Sequence, residues 1–342
     1  MPLSPGNRIL LVTDTWHPEI NGVVKVIEHL QKEIESTGIA VEIMHPRQFY
    51  TVPLPVYPEF RLALFSRGSI RKRIEKGRYD EVHILTYGPL AWYARAACIK
   101  LNKRFTMSFH NQVHLYAEMR LGRWSRRLTE RFLRWFYAPA SLVLVTTPTA
   151  EAQLRDFGLD NVAVWRLGVE QRFFERGRSS HEYKRPVSAF LGRLALEKNV
   201  EEFLAADIPG TKIVIGDGPE REKLEKKYSH VVFLGYQTGD SLISHLSCAD
   251  VLIMPSRTET FGIVILEALA LGIPVAGHDV MGPRDIIVNG VNGYLDEDLA
   301  VAARRCLTIG GEACVESARK YSWSGSAQTF ISLLNTARAS AI

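Results

Sequence analysis

The 342-residue sequence has few cysteines and no long apolar run. Its 4 cysteines lie far apart, form no C-x-x-C pair and have no nearby histidine, so neither a disulfide framework nor a zinc site is expected. The longest nearly apolar stretch, Phe261 to Gly277, contains Glu267 and Pro274, and falls short of the roughly 20 apolar residues that a membrane span needs. The apolar run Ile9 to Val12 is too short to predict a signal peptide. We therefore expect a cytosolic protein.

Motifs of several common nucleotide-binding classes are also absent. The sequence has neither G-x-G-x-x-G nor a Walker A motif, which argues against hydride transfer and P-loop hydrolysis. It has no RNA- or DNA-binding motif, so no nucleic-acid partner is expected. With 46% apolar and 23% charged residues, the composition excludes a disordered chain, and the length predicts two domains.

Short β-branched runs alternate with segments of helical length along the whole chain. Strands are predicted at 8–13, 40–45, 81–85, 105–109, 142–146 and 162–165, and again at 187–191, 212–215, 231–234, 251–254, 273–276 and 293–295. Such alternation predicts parallel sheets covered by helices. Two series, joined by the polar link Glu175–Arg185, predict an α/β fold of two doubly wound, Rossmann-like domains that face each other across a cleft. Ligands of such sheets bind at the carboxyl ends of the strands.

The loop after the first strand of the second series carries two cations. Gly192 permits a tight turn, and Arg193 and Lys198 follow it. Asn199 is predicted to cap the next helix, with Glu202 reaching back to it. Two cations beside a strand end and a helix N-terminus suit a diphosphate. The alternative is an ordinary charged surface loop.

A glycine loop and an apolar helix follow further along the second series. Gly216 and Gly218 would let a ligand approach the backbone closely, although two glycines are also typical of a plain turn. The helix predicted from Gly262 to Leu271 is apolar on every side except at Glu267. A buried carboxylate needs hydrogen-bond partners. A vicinal diol such as ribose would supply two donors, and an internal arginine or lysine is the alternative.

Two more polar side chains complete the predicted site. Glu259 lies just before the apolar helix, where the free amides of Phe261 and Gly262 also point. His110 follows a strand of the first series, which places it at the predicted cleft, although a single histidine there is often structural. A diphosphate site, a diol-binding glutamate and a cleft histidine, without metal ligands, together predict a nucleotide-sugar site.

Positive charge is concentrated in two stretches. Arg120–Tyr137 holds six arginines and one glutamate, and Arg67–Arg78 holds six basic residues and one glutamate, although the whole chain carries only +5. In the first stretch, an apolar stripe at helical spacing lies beside a basic stripe. The apolar stripe consists of Leu121, Trp124, Leu128, Phe132 and Trp135, and the basic stripe of Arg120, Arg123, Arg127, Arg131 and Arg134. This pattern is typical of a helix in a membrane interface, and equally of a helix packed on a core with solvated arginines.

Together these segments resemble the family 4 retaining glycosyltransferases of the GT-B fold over essentially the whole chain. The Glu-x7-Glu element (Glu259, Glu267) resembles the family signature, and G-R-L-x-x-E-K (Gly192 to Lys198) its phosphate motif. S-F-H-N-Q-V-H-L-Y (Ser108 to Tyr116) is similar to S-Y-H-T-x-x-P-x-Y, with Asn111 for Thr and His114 for Pro, and G-V-E (Gly168 to Glu170) is similar to G-V-D. T-Y-G-P-L, S-R-T-E-T-F-G and G-P-R-D-I-I resemble a bacterial subgroup of mannosyltransferases and glycosyl-diacylglycerol synthases.

The resemblance implies a role for each residue of the predicted site. The residues implied in catalysis are Arg193, Lys198, His110 and Glu259. Those implied in donor binding are Gly22, Gly192, Gly216, Gly218, Thr260, Phe261, Gly262 and Glu267, the last holding the ribose hydroxyls. Those implied in membrane docking are Arg120, Arg123, Trp124, Arg127, Arg131 and Trp135. No metal and no other cofactor is implied.

The resemblance also implies a division of labour along the chain. Residues 1–172 would bind the acceptor and the membrane, residues 173–322 the nucleotide sugar, and residues 323–342 would form a helix that crosses back to the first domain. The implied reaction retains the anomeric configuration, and the leaving phosphate assists deprotonation of the acceptor hydroxyl.

The leading hypothesis is a bacterial, peripheral enzyme on the inner face of the cell membrane. It would move a sugar from a UDP-sugar to diacylglycerol at an anionic surface. One alternative is a GDP-mannose-dependent α-mannosyltransferase acting on a soluble or polyprenyl-linked glycan. Two others are a sugar-nucleotide epimerase of the GT-B fold and a non-catalytic membrane-docking protein with a vestigial nucleotide pocket.

Overall fold

The computed structural model describes residues 2–18, 21–53, 61–64, 66–175 and 182–339. The chain divides into two compact units, one formed by Met1–Leu167 together with Trp323–Ile342 and the other by Gly168–Ser322. The first unit ends before residue 172, where the sequence boundary was drawn, because Val169 already bridges to Ser322 in the second unit. Residues 176–181 of the predicted polar link lie outside the described part of the chain.

In the residues that the structure describes, the first unit has eight strands and six α-helices before the chain passes to the second unit. The strands are β1 (Arg8–Val12), β2 (Ala40–Met44), β3 (Val52–Pro53), β4 (Arg61–Leu62), β5 (Glu81–Ile84), β6 (Thr106–Phe109), β7 (Val143–Val145) and β8 (Val162–Val164). The helices are α1 (Gly22–Glu35), α2 (Arg67–Lys76), α3 (Pro89–Lys100), α4 (Val113–Leu121), α5 (Arg123–Tyr137) and α6 (Pro148–Asp156).

The second unit repeats the alternation of strands and helices. Its strands are β9 (Val187–Leu191), β10 (Thr211–Ile215), β11 (Val232–Gly235), β12 (Val251–Met254), β13 (Val275–Gly277) and β14 (Gly293–Leu295). Its helices are α7 (Arg172–Glu175), α8 (Val200–Ala205), α9 (Arg221–Lys227), α10 (Gly239–Leu246), α11 (Ile263–Ala270), α12 (Pro283–Ile286), α13 (Leu299–Cys306) and α14 (Gly311–Ala318). The last helix, α15 (Trp323–Ala339), belongs to the first unit.

Each unit is built on a six-stranded sheet whose first strand in the sequence is an inner strand. The orders are β2-β1-β5-β6-β7-β8 and β11-β10-β9-β12-β13-β14, and the described pairings within both sheets are parallel. In the first sheet, Leu11 pairs with Ile43 on one side and with His83 on the other. These two sheets confirm the prediction of two Rossmann-like α/β domains. The two-residue strands β3 and β4 form an antiparallel hairpin that the sequence pattern did not predict.

Burial explains why these segments form these elements. In β1, Ile9 to Val12 are fully buried, as expected for a strand covered by helices on both faces. Helix α1 begins where the side chain of Asn21 accepts the amides of Val23 and Val24. Helix α15 packs on α1, where the Trp323 ring stacks on His29 with centroids 4.7 Å apart.

The basic amphipathic segment 120–137 is not one helix, as the sequence predicted, but parts of two. Helix α4 ends at Leu121 and α5 begins at Arg123, because Gly122 between them has a φ of 90°. Arg120 and Leu121 therefore lie in the last turn of α4, whereas the other stripe residues lie on α5.

Candidate functional site

The predicted site residues of the second unit lie in the loops after three neighbouring strands. Strand β9 lies between β10 and β12, so the loops that follow these strands share one edge of the sheet. Gly192 follows β9, Gly216 follows β10, and Ser256 and Thr258 follow β12. The hydroxyls of Ser256 and Thr258 donate to the carbonyl of Glu197 at 3.1 and 3.3 Å, which ties the third loop to the first. This is the edge where doubly wound sheets bind ligands.

Gly216 and Gly218 bring the first two loops into direct contact. A Cβ at Gly216 would lie 1.9 Å from the carbonyl oxygen of Gly192, and a Cβ at Gly218 would lie 2.4 Å from that of Leu194. Both glycines also have positive φ angles, of 143° and 157°. The structure thus gives them a role besides the predicted one: they let two loops approach each other, which shapes the edge where a ligand would bind.

The phosphate motif and the Glu-x7-Glu element meet through an ion pair. The Lys198 ammonium is paired with the Glu259 carboxylate, although the two residues are far apart in sequence. Glu259 is buried, whereas Lys198 and Arg193 are half-buried at the loop surface. The site thus combines two partly accessible cations with one buried carboxylate, an arrangement suited to an anionic group next to a polar one.

Asn199 does not cap helix α8 in the way the sequence predicted. It adopts a left-handed conformation, with φ of 51° and ψ of 37°, and its side chain accepts no amide of the helix. Its amide group donates instead to the Glu202 carboxylate and, at 3.2 Å, to the carbonyl of Pro255. The side chain therefore connects the loops after β9 and β12 and leaves the helix N-terminus uncapped by Asn199.

Helix α11 carries the second carboxylate of the Glu-x7-Glu element. Gly262 precedes the helix with a φ of 83°, and Glu267 lies on its second turn with only 2% of its surface exposed. Thr260 and Phe261, next to Glu259, are also buried. The structure therefore confirms the predicted burial of Glu267 inside an apolar helix, where a carboxylate needs polar partners.

Sequence reasoning missed His278, which follows β13 at the same edge of the sheet. This histidine is fully buried, and its Nε2 lies 3.0 Å from Oε1 of Glu202. Its Nδ1 lies 3.1 Å from the carbonyl oxygen of Asp296. Its place just after a predicted strand was the signal that could have found it, and it lies buried beside Glu202 at this edge of the sheet.

In the first unit, His110 is placed at the carboxyl end of β6, as its position after a strand predicted. Burial lowers the pKa of His110 to about 4, so its ring is neutral near pH 7. The ring meets Trp165 edge-on, with centroids 6.0 Å apart. A neutral imidazole exchanges hydrogen bonds with hydroxyl groups and adds no charge.

Asp14, which the sequence analysis did not select, joins the loops after β1 and β5. Its carboxylate accepts the Thr86 hydroxyl and the Leu90 amide, both at 2.7 Å, and thereby caps helix α3. Burial raises the pKa of Asp14. Gly22 is the first residue of α1 and is exposed, whereas Glu19 and Ile20 just before it lie outside the described residues.

The two departures from the family pattern lie in different surroundings. Asn111 bonds through its side chain to half-buried Tyr87, in the loop after β5. His114 is fully buried on α4, and its Nε2 lies 2.9 Å from the amide nitrogen of Gln153. Burial lowers the pKa of His114 to about 4. His114 thus packs between α4 and α6, away from solvent.

The apolar stripe of segment 120–137 faces solvent on α5 and at the end of α4. Leu121, Trp124, Leu128 and Trp135 are between 51% and 66% exposed, and the helix packs instead through another face, formed by Ser125, Leu133, Phe136 and Tyr137. The alternative in which the stripe packs on the core is therefore wrong for these four side chains. Arg123, Arg127, Arg131 and Arg134 are exposed, and none lies within ion-pair distance of a carboxylate in the described part of the chain. Arg126, by contrast, pairs with Glu118 and Glu130.

Two kinds of feature are absent from the described residues. No group of three or more His, Cys, Asp and Glu side chains there is placed to hold a metal ion. No helix among them is long and apolar enough to cross a bilayer.

Two family descriptions match adjoining parts of the chain. Glycosyltransferase Family 4 matches residues 20–173, and Glycosyl transferases group 1 matches residues 171–303.

The names of similar proteins differ in the sugar or the acceptor that they describe. The chain is 29% identical to the Arabidopsis thaliana sulfoquinovosyl transferase SQD2 over 81% of its own length, and spans 62% of the length of that protein. It is 29% identical to a Mycobacterium tuberculosis GDP-mannose-dependent alpha-mannosyltransferase, covering 85% of this chain and 84% of the other. It is 26% identical to a Streptococcus pneumoniae alpha-monoglucosyldiacylglycerol synthase, covering 88% of this chain and 78% of the other.

Solved structures share the whole fold. The sucrose-phosphate synthase of Thermosynechococcus elongatus superposes with a TM-score of 0.76 at 20% identity, covering 98% of this chain and 100% of the other. Anabaena Alr3699/HepE in complex with UDP-glucose superposes with a TM-score of 0.70 at 15% identity, covering 96% of this chain and 99% of the other.

Proposed function

Because the chain belongs to the family 4 glycosyltransferases of the GT-B fold, we propose that it transfers a sugar from a UDP-sugar to diacylglycerol. Enzymes of this kind use nucleotide-sugar donors, so the donor class follows from the family. The base, the acceptor and the membrane setting are the parts that we propose. The reaction proposed is metal-independent and retains the anomeric configuration.

The proposed donor site is the edge of the second sheet. Arg193 and Lys198 would bind the diphosphate and stabilise the charge that develops on it as the sugar leaves. The diphosphate would share the Lys198 ammonium with Glu259, which now holds it. Glu267 would bind the ribose hydroxyls from inside α11, because two hydroxyl donors satisfy a buried carboxylate.

We propose that the donor sugar is bound by neutral groups as well as by Glu259. The amides of Thr260 to Gly262 would contribute from the segment that directly precedes α11. His110 would add a neutral imidazole from the first unit, and Gly22 an amide at the start of α1. The leaving phosphate would assist deprotonation of the acceptor hydroxyl on the same face of the sugar.

The observation that favours a lipid as the acceptor is the solvent-facing stripe of α5. Two tryptophans and a leucine exposed on α5, with Leu121 exposed at the end of α4, are costly in water. Four arginines of α5 that have no carboxylate partner among the described residues are exposed on the same helix. An anionic bilayer would bury the first set and neutralise the second. The plant and streptococcal relatives, whose names are those of a sulfoquinovosyl and a monoglucosyldiacylglycerol enzyme, support the same acceptor class.

A matrix of donors and acceptors tests this proposal. UDP-glucose, UDP-galactose and GDP-mannose would each be incubated with diacylglycerol in phosphatidylglycerol vesicles and with a water-soluble glycan, in the presence of EDTA. We expect a hexosyl-diacylglycerol from one UDP-sugar. Turnover only with GDP-mannose and the glycan would contradict it.

The relatives named as GDP-mannose-dependent alpha-mannosyltransferases favour a second candidate function. In that case the same diphosphate and ribose sites would bind GDP-mannose, and the acceptor would be a soluble or polyprenyl-linked glycan. The donor and acceptor matrix separates the two candidates, because each predicts turnover with a different pair of donor and acceptor.

A further inference from the structure

The second basic stretch of the sequence, on helix α2, has no part in the proposed site. Arg67, Arg71, Lys72 and Lys76 are exposed along this helix. In the described part of the chain, none of the four lies within ion-pair distance of a carboxylate. Arg73 is the contrast, because its guanidinium is held by Glu42 at 2.7 Å. Among the described residues, helix α2 therefore presents four positive charges without a carboxylate partner, alongside the exposed carboxylate of Glu75.

Helix α2 lies on the same face of the first sheet as α5. The connections from β2 to β5, from β5 to β6 and from β6 to β7 all step in one direction across the sheet. Right-handed crossovers then place α2, α3 and α5 side by side on one face, whereas α1 lies on the other. Direct contacts agree, since α2 packs on α3 and Trp92 of α3 stacks on Phe132 of α5 with ring centroids 5.3 Å apart.

Helix α3 continues the exposed apolar stripe of α5 towards α2. Trp92 is 41% exposed and also contacts Trp135, with ring centroids 5.4 Å apart. Ile99, 48% exposed, lies two turns further along the same face of α3. Arg95 of α3 holds this helix against α5. Its buried guanidinium donates to the carbonyls of Trp135 and Phe136 and lies 4.2 Å from the centroid of the Trp135 ring.

The three helices differ in what they expose. The exposed positions of α2 are Arg67, Gly68, Ser69, Arg71, Lys72, Glu75 and Lys76, none of them apolar apart from the glycine, whereas α3 and α5 expose tryptophans. A helix whose exposed side chains are polar and mostly basic attracts anionic headgroups without entering the acyl region, whereas exposed tryptophans enter the interface. An anionic bilayer has a charged headgroup layer and an apolar acyl layer, so it is complementary to both kinds of exposed side chain.

We propose that the membrane-binding surface extends from α5 across α3 to α2, with Trp92 as an interfacial anchor and α2 as an electrostatic contact. This inference rests on the proposed function, because it assumes that α5 binds an anionic membrane. It assigns a partner to α2 and α3, which the donor and acceptor sites leave unexplained.

Vesicle binding of the full chain tests the inference. Phosphatidylcholine vesicles with rising fractions of phosphatidylglycerol would be sedimented with the parent and with the variant Arg67→Ser/Arg71→Ser/Lys72→Ser/Lys76→Ser. We expect the variant to bind anionic vesicles at least about tenfold more weakly, since each basic residue near such a surface is worth about fivefold before screening. The matched control removes four exposed charges from the second unit, through Lys223→Ser/Lys226→Ser/Lys227→Ser/Arg319→Ser, and should bind within about twofold of the parent.

The aromatic part of the surface is tested separately. Trp92→Ala and Ile99→Ser should each weaken vesicle binding severalfold, whereas Tyr50→Ala, which removes a 71% exposed aromatic ring of the first unit, should not. Ile99→Ser keeps the test decisive if Trp92→Ala unfolds, because Ile99 takes no part in the ring stack. Thermal unfolding of each variant checks the fold.

The outcomes separate this inference from the proposed function. If the parent does not bind anionic vesicles at all, the proposed lipid acceptor fails. If the parent binds and α5 variants lose binding, but the α2 variant matches its control, only the present inference is overturned. Binding of the α2 variant to soluble polyphosphate would also be measured. If that variant loses polyphosphate binding and vesicle binding equally, and Trp92→Ala and Ile99→Ser have no effect, the inference is also overturned, because the surface would then recognise a charged polymer.

Discussion

Replacing three arginines of α5 by serine should detach the protein from anionic vesicles. Arg123, Arg127 and Arg131 are exposed and have no carboxylate partner among the described residues, so each is available to a headgroup. A basic side chain near an anionic surface contributes about 1 kcal/mol. The three together then contribute about 3 kcal/mol, a loss of vesicle binding of about a hundredfold or more.

The assay is cosedimentation with phosphatidylglycerol vesicles over a range of salt concentrations. Binding of the parent should weaken as salt rises, because the screening length falls from about 10 Å at 0.1 M to about 3 Å at 1 M. Turnover on a short-chain, water-soluble acceptor should stay near the parent value, while turnover on vesicle-embedded acceptor collapses. Lys223→Ser/Lys226→Ser/Lys227→Ser is the control, because it removes three exposed charges from α9 in the second unit.

The result that contradicts this reasoning is specific. If the α5 triple variant binds anionic vesicles as the parent does, the exposed stripe does not contact lipid. The proposed lipid acceptor would then lose its structural support, and only the likeness to lipid-modifying relatives would remain.

Four further expectations concern the proposed site and the buried His114. Glu267→Ala should weaken UDP binding, measured by calorimetry, far more than it lowers the melting temperature, and loss of the fold with normal binding in surviving protein would mark Glu267 as structural. Arg193→Ala or Lys198→Ala should each lower turnover at least about a hundredfold, as expected when a donor to a developing charge is lost, and full activity in either would move the diphosphate elsewhere. Turnover should persist in EDTA, and a loss restored by Mg²⁺ or Mn²⁺ would show a metal requirement. The pKa of His114 is 6.5 in the unfolded chain and about 4 in the folded one, so the unfolded state binds the proton first and the free energy of unfolding should drop as pH falls from about 6.5 to 4. His114→Gln should make this drop shallower. An unchanged pH profile in that variant would contradict the role assigned to His114.

The fold was predictable because its strands are buried on both faces. Segments such as Ile9–Val12 and Val251–Met254 are continuous apolar runs, and runs of this kind alternating with helices identify parallel sheets. The hairpin of β3 and β4 escaped notice because two-residue strands leave no periodic signal. The break at Gly122 was also missed, since a glycine within a helical pattern does not reveal its φ.

The site was predictable as a set of residues but not as a set of contacts. Motif spacing selected Lys198 and Glu259, yet only the folded chain shows that they pair. Asn199 follows the pattern of a helix cap, but its left-handed conformation turns the side chain towards Glu202. On α5, periodicity revealed one apolar stripe and could not decide whether it packs, because Leu133, Phe136 and Tyr137 form a second apolar face that does so.

The most direct test is to follow the labelled sugar of a UDP-sugar into diacylglycerol as the anionic lipid content of the vesicles is varied. We expect label in the organic phase, as an α-linked glycosyl-diacylglycerol, in amounts that rise with phosphatidylglycerol and fall with salt. Label that stays in the aqueous phase on a glycan, at a rate independent of vesicles and salt, would contradict the proposal that this glycosyltransferase works on a membrane lipid.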